Sequence, residues 1–231
     1  MSGATLAFKL VTTKGNKARP TVITTAIIAG WTGRDRAAME KHIVELEALG
    51  VQRPASTPIF YRVAAARLTT AGEIQVSGND SSGEVEFFLA TIDGRLWLGV
   101  GSDHTDRKVE TIGVTISKQM CDKPVGAEIW PYDEVAGHWD RLVLRSFAVG
   151  GGQRSLYQEG SVTTMLDPLD LIARYPAGNG QLPEGALVFC GTLEAKGGIR
   201  PSQRFEIELE DPVLGRKLTH AYDIASLPVE G

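Results

Sequence analysis

Long apolar runs are missing from this 231-residue chain. None approaches the roughly 18 residues that a spanning helix needs, so no membrane partner is expected. Cysteine is scarce. Cys121 and Cys190 lack metal-site spacing and imply no disulfide framework. The first residues, MSGATLAFKLVTTKGNKARP, lack a basic region followed by an apolar core and a cleavage site. A cytoplasmic location is the resulting expectation. A strong charge of either sign is also missing: 24 basic and 28 acidic residues leave a net charge of −4. That balance argues against nucleic acid or an anionic membrane surface as a partner. No internal repeat or low-complexity segment occurs. What is present is an ordinary globular composition, long enough for one packed domain over residues 1–231.

Short alternating or β-branched runs dominate the chain. ATLAFKLV and TVITTAIIAG read as strands around a turn-like KGNKARP. GWTGRD breaks the pattern and opens a helix over residues 32–50, with Thr32 or Asp35 as its cap and Gly50 at its end. Met39, Ile43 and Leu46 form its buried stripe. Residues 51–80 read as loops and short strands, and 122–140 as irregular with a helical turn or two. RLVLRSFAV and SLYQEG form strands around GGGQR. LDPLDLIARY is a short helix. GALVFCGT and RFEIELEDPVLGRKLTHAYDI are strands, the latter a hairpin around DPVLG. The fold class is therefore α+β and β-rich.

One hairpin stands apart. Asp93-Gly94, between SSGEVEFFLATI and RLWLGVGSD, is a strong two-residue turn signal. If those residues form the loop, Ile92 faces Arg95. Counting outward, Glu86 faces Gly101 and Glu84 faces Asp103. Opposed residues share a face, as do i and i+2, so all three carboxylates lie on one face. Opposed Cβ atoms are about 5 Å apart, close enough to share a cation. Clustered carboxylates repel unless protons or a cation neutralise them. Hard oxygen ligands suit Mg²⁺, Mn²⁺ or Ca²⁺.

A second E-x-E, Glu206 and Glu208, offers an internal control. There Phe205, Ile207 and Leu209 take one face and the acids the other, as in a half-exposed strand with a solvated face. Around Glu84 both faces are apolar, with Val85, Phe87 and Leu89 on one and Phe88, Ala90 and Ile92 on the acids' own. These acids are therefore expected in an interior or cleft. On the first helix, His42 and Glu45 stand at i, i+3 on one face. Such a pair can serve as a general base, but the spacing alone favours a surface ion pair on the helix. His104 should point away from the acids' face. His138 and His220 have no partners in sequence. Cys121 and Cys190 read as buried thiols and the tryptophans as core. Gly150-Gly151-Gly152 reads as a turn, since no helix start follows it.

Taken in order, HIVE, EVE, DHTDR, SKQMCDKP and GALVFCGTLEAKGG resemble the motifs of the fumarylacetoacetate hydrolase superfamily, from His42 to about Tyr222. The wording GWTGRD, SSGEVE and GVGSDHTDR also resembles an uncharacterised bacterial branch of it. The resemblance implies a mixed β-roll or sandwich with an N-terminal β extension (1–30), a lid helix (32–50) and a metal-site core (81–225), usually a homodimer. It implies Mg²⁺ or Mn²⁺ (Ca²⁺ as an alternative) on Glu84, Glu86 and Asp103, and a small 2-oxo acid as substrate. Lys118 is then expected to stabilise an oxyanion or hold the substrate carboxylate. Arg107 and Thr192 are expected near the substrate, and His42 with Glu45 to activate water. Some motifs depart from the family. The Asn-Tyr pair before the histidine is replaced by RAAMEK, G-T-P reads Gly191-Thr192-Leu193, and a glutamine position holds Glu110. The last change adds a negative charge that disfavours a second substrate anion. The expected activity is hydrolytic C–C cleavage of an acylpyruvate-like acid. The alternatives are a lyase on the same scaffold, either decarboxylase or sugar-acid dehydratase, and a non-catalytic ligand-binding member.

Overall fold

The computed structural model describes residues 3–48 and 53–230, without the side chains of residues 42, 45, 46 and 48. The N-terminal third holds β1 (Ala4–Thr12), β2 (Gly15–Ile23), β3 (Thr25–Gly30), α1 (Arg36–Ala48), β4 (Ile59–Val63), β5 (Leu68–Thr69) and β6 (Glu73–Ser77). The middle holds β7 (Ser81–Ser82), β8 (Val85–Ile92), β9 (Arg95–Ser102), β10 (Thr105–Asp106), α2 (Arg107–Glu110), α3 (Val114–Met120), β11 (Lys123–Pro124) and β12 (Glu128–Pro131). The remainder holds β13 (Val143–Gly150), β14 (Gln153–Ser161), α4 (Pro168–Ala173), β15 (Ala186–Thr192), β16 (Arg204–Asp211) and β17 (Arg216–Leu227).

Two sheets carry the fold. An eight-stranded mixed sheet runs β2-β1-β12-β9-β8-β15-β3-β4, and a five-stranded one runs β14-β13-β16-β17-β6. One face of the large sheet packs on the small one: Val85, Phe87, Leu89 and Val100 share a core with Leu144, Ile207, Leu209 and Leu218. Its other face encloses a second core. Phe8 and Ile23 from one end of the sheet meet Ile28 and Val63 from the other, around Phe88 and Phe189. The sheet is therefore curled on itself, an α+β, β-rich roll. Both faces of β8 are buried, as its two apolar faces predict. Phe87 and Phe88 have no exposed surface, and each contributes ~1.5–3 kcal/mol by burial.

The central hairpin has the predicted register: Ile92 pairs Arg95, Glu86 pairs Gly101 and Val85 pairs Ser102. Asp93 and Gly94 both adopt positive φ, 53° and 71°, as the twist-matched two-residue turn requires. Glu184 accepts hydrogen bonds from both turn amides at 2.9 Å. Asp35 caps α1, its Oδ1 accepting from the amides of Ala37 (2.9 Å) and Ala38 (3.0 Å). The expected C-terminal glycine, Gly50, lies outside the described residues. Asp167 caps α4 with Pro168 at its first position.

Several readings are altered by the structure. KGNKARP is largely strand: the turn is only Thr13-Lys14, and β2 carries Pro20 because it is an edge strand that needs no ladder donor there. Residues 107–120 are helical, which their sequence does not announce. Glu206 and Glu208 are not simply solvated. Arg154 binds Glu206 at 2.7 Å, and Arg145 and Lys217 bind Glu208 at 3.0 and 3.3 Å. His138 also has a partner, with its Nε2 3.0 Å from Asp211 Oδ1.

Candidate metal centre

The hairpin's open end delivers the three acids together. Glu84 precedes β8, and the Asp103 amide donates to the Glu84 carbonyl at 3.0 Å, extending the ladder by one pair. One carboxylate oxygen from each of Glu84, Glu86 and Asp103 lies within 4.8 Å of the others. Glu86 is 2% and Asp103 0% exposed. The glycine opposite Glu86 does not leave open room. A Cβ on Gly101 would stand 2.7 Å from Phe189 Cε1 and 2.9 Å from the Pro124 carbonyl oxygen, so the glycine admits core packing beside the acids.

Each carboxylate is held by a nitrogen. The Arg107 guanidinium donates to Glu84 Oε1 at 2.8 Å. The Gly191 amide donates to Glu86 Oε2 at 2.6 Å. Lys123 Nζ stands 2.9 Å from Asp103 Oδ1 as an ion pair. That oxygen receives no well-directed hydrogen bond; the Lys123 ammonium also donates to the His104 carbonyl, 2.6 Å away. The other Asp103 oxygen, Oδ2, accepts from Lys118. Lys118 Nζ is also 3.6 Å from Glu84 Oε2.

The Gly191 donor arises from a bulge. Pairing of β15 with β8 shifts between Phe189 and Thr192, and Gly191 takes φ +105°. Bulges of this kind re-aim the chain beside functional sites. A Cβ here would meet Thr32 Oγ1 at 1.8 Å, so only glycine is accommodated. The next residue, Thr192, donates to the Val85 carbonyl at 2.8 Å and accepts from Gln158 Nε2 at 2.9 Å. Gln158 in turn accepts from the Val85 amide at 3.0 Å.

The electrostatics follow from this arrangement. Burial, with Asp103 and Glu84 nearby, pushes the Glu86 carboxyl well above the usual range, against the pull of Lys118 and the Gly191 amide. Burial also opposes ionisation of Asp103, but Lys118 and Lys123 outweigh it and hold that carboxyl at about 2. Burial disfavours the Lys118 ammonium, yet Asp103 and Glu84 raise its basicity overall. His104, on the opposite side of the strand, is a structural neutral imidazole. Its Nδ1 lies 3.1 Å from Tyr222 Oη and its Nε2 2.9 Å from Ser81 Oγ. Burial, then Lys123 and Arg107, hold it at about 3.

Arg107 and Glu110 stand on α2, whose N-terminus Asp106 caps. Arg107 is fully engaged on this wall: its Nε donates to Ser82 Oγ at 2.7 Å, and its second nitrogen serves both Glu84 and Glu110, the latter at 3.0 Å. His42 and Glu45 fall on α1, but their side chains lie outside the described residues. Three participants are not evident from sequence: Lys123, Gln158 and Tyr61, whose ring centroid is 5.9 Å from Lys118 Nζ. Lys123 lies within SKQMCDKP, but nothing in that run marks it as buried against the acids; Gln158 and Tyr61 arrive from distant segments. A separate cavity of about 490 Å³ between Gly150, Gln153, Arg200 and Ser226 includes none of the three acids.

A trio of carboxylates, two of them buried and one of those pushed toward its protonated form, fits a hard divalent cation. The donors are all oxygen, and such a cation would relieve the repulsion that raises Glu86.

Comparison with solved structures defines the fold. 2-Keto-3-deoxy-D-arabinonate dehydratase complexed with magnesium and 2,5-dioxopentanoate is 15% identical with a TM-score of 0.64, over 93% of this chain and 77% of that one. Yeast ynq8, a fumarylacetoacetate hydrolase family protein, is 17% identical with a TM-score of 0.63, over 90% and 95%. A candidate fumarylpyruvate hydrolase from Burkholderia cenocepacia is 19% identical with a TM-score of 0.62, over 97% of each chain. The architecture is thus that of the fumarylacetoacetate hydrolase fold, which hosts both hydrolases and a dehydratase. The chain itself belongs to the family described as "Protein of unknown function (DUF2848)", whose model matches residues 29–222. Comparison with curated proteins gives no match. Among the described residues, no helix is long and apolar enough to cross a membrane.

Proposed function

We propose that this chain is a divalent-metal-dependent enzyme that cleaves a C–C bond in a small 2-oxo acid by hydrolysis. The observation that carries the reading is the Glu84–Glu86–Asp103 trio, with Glu86 and Asp103 buried and the Lys118 ammonium against Asp103 and Glu84. Glu84, Glu86 and Asp103 would hold Mg²⁺ or Mn²⁺, which supplies Lewis acidity toward the keto oxygen of a chelating substrate. Lys118 would hand its ammonium from Asp103 to the substrate, neutralising charge that develops on oxygen as the bond breaks. His42 and Glu45, on α1, would take the proton of the attacking water. Thr192 would orient the substrate carboxylate by turning its hydroxyl from the Val85 carbonyl. Arg107 would act as a wall that fixes Glu84 and Glu110.

A second reading, a dehydratase on the same scaffold, is favoured by the likeness to the magnesium-bound dehydratase. It needs no activated water. Turnover of acylpyruvates, oxaloacetate and sugar-derived 2-oxo acids with Mg²⁺ or Mn²⁺ tests both. Hydrolysis requires that Glu84→Ala and His42→Ala each abolish product. Retained turnover in His42→Ala, with loss in Glu84→Ala, overturns the hydrolase and leaves the lyase.

A further inference from the structure

Lys123 is the one lysine of the cluster with no exposed surface. Lysine is almost never buried to that degree unless an anion pairs with it, because stripping water from an ammonium is costly. Here the pairing is narrow. Nζ stands 2.9 Å from Asp103 Oδ1 and donates to the carbonyl of the next residue, His104, at 2.6 Å. One ammonium thus ties the Asp103 side chain to its own backbone. Lys118 differs: it also lies near Glu84 and Tyr61.

The chain carrying Lys123 is itself clamped. β11 pairs in parallel with β5, Lys123 against Leu68. The Val125 amide donates to the Thr69 carbonyl at 2.8 Å, and Val125 bridges to Gly101 on β9, directly opposite Glu86. The lysine is therefore fixed to the same hairpin that presents the acids. With no surface open to solvent, it cannot touch a diffusing substrate, so any contribution passes through Asp103.

We infer that Lys123 is a positioning residue for the cation site. It holds Asp103 by Oδ1 and so fixes the carboxylate that meets Glu84 and Glu86. This rests on the divalent-cation reading given above. The inference has a distinctive sign. Removing a positive charge beside a cation site should by electrostatics alone tighten cation binding. Losing a partner that orients a ligand weakens it, typically about 10- to 100-fold.

Calorimetric titration of metal-free protein with Mn²⁺ separates the two, with thermal unfolding of the same samples alongside. Wild type should bind. Lys123→Met should bind roughly 10- to 100-fold more weakly. Lys123→Gln, which keeps an N–H donor, should recover part of that loss. Equal or tighter Mn²⁺ binding by Lys123→Met, even with a lowered unfolding temperature, would assign Lys123 to folding alone and overturn the inference. If Lys123→Met does not fold, Lys123→Gln decides: unchanged affinity overturns the inference, and weakening of a few-fold or more supports it. Wild type that binds no Mn²⁺ would remove the cation reading itself, and the inference with it.

Discussion

Three carboxylates converge twice in this chain, with opposite outcomes. On the outer face of the small sheet, Glu159, Glu208 and Glu210 surround Arg145. At the hairpin's open end, Glu84, Glu86 and Asp103 face a single ammonium, Lys118, which donates to Asp103 and stands 3.6 Å from Glu84, while Arg107, Gly191 and Lys123 hold them from behind. Exposure separates them in part: Glu84 and Glu208 are alike at 16%, but Glu86 and Asp103 are buried while Glu159 and Glu210 are 38% and 29% exposed. The kind of cation and its placement separate them further. A guanidinium in the centre satisfies its acids permanently and makes a structural rivet. Donors at the back leave one oxygen on each acid turned inward, with only Lys118 to meet them.

The sharpest way to break the comparison is to neutralise one acid in each cluster. Glu86→Gln should weaken Mn²⁺ binding on the order of a hundredfold or more in calorimetry, and Glu208→Gln should leave it within about twofold. Equal effects would mean the two clusters are the same kind of object. Next, Gly191→Ala should cost about 3 kcal/mol or more of unfolding free energy in denaturant titration. It forces a Cβ against Thr32 at a left-handed φ. A change under ~1 kcal/mol would show that the bulge relaxes and that Glu86 is not held as described.

A third test uses pH. His104 falls from 6.5 to about 3 in the fold, so between those values the unfolded chain binds a proton that the folded chain does not. Its contribution is complete above 6.5 and is lost as pH falls, by about 1.4 kcal/mol per pH unit, or about 2 kcal/mol between pH 7 and 5. Glu86, raised by folding, contributes in the opposite sense. The measurement is therefore the difference between wild type and His104→Gln in metal-free protein. That difference should shrink by about 2 kcal/mol on moving from pH 7 to pH 5, and a constant difference would show that His104 takes up its proton in the fold as readily as in the unfolded chain. The smallest effect is expected at the rivet. Arg145→Met should cost about 1 kcal/mol, reduced by salt, because its partners are only partly shielded from solvent.

Much of this comparison is legible in the sequence, and the rest is not for definite reasons. The gathering of Glu84, Glu86 and Asp103 follows from one turn dipeptide and a period of two, both local properties. The burial of both faces of β8 follows from apolar residues on each side of the strand. Residues 107–120 escape because their apolar positions do not point inward: Ile112, Ile116 and Met120 are exposed, while Ser117 and Lys118 are buried. An inward apolar stripe, the usual helix signal, is thereby inverted. Lys123 escapes because its burial is decided by β5 and β9, more than twenty residues away along the chain in each case. The ion pairs of Glu206 and Glu208 escape because their partners, Arg145, Arg154 and Lys217, arrive only when four strands assemble.

The bulge at Gly191 has a consequence for how such a centre can be dissected. Of the three anchors, two are side chains that a substitution can delete. The third is a peptide N–H, placed by the path of the chain. A scan that shortens side chains one at a time would find Arg107 and Lys123 but would never remove the group that grips Glu86. At Gly191 it would report only a folding defect. That anchor can be deleted cleanly by replacing the amide nitrogen with an ester oxygen, a change of one atom in the main chain.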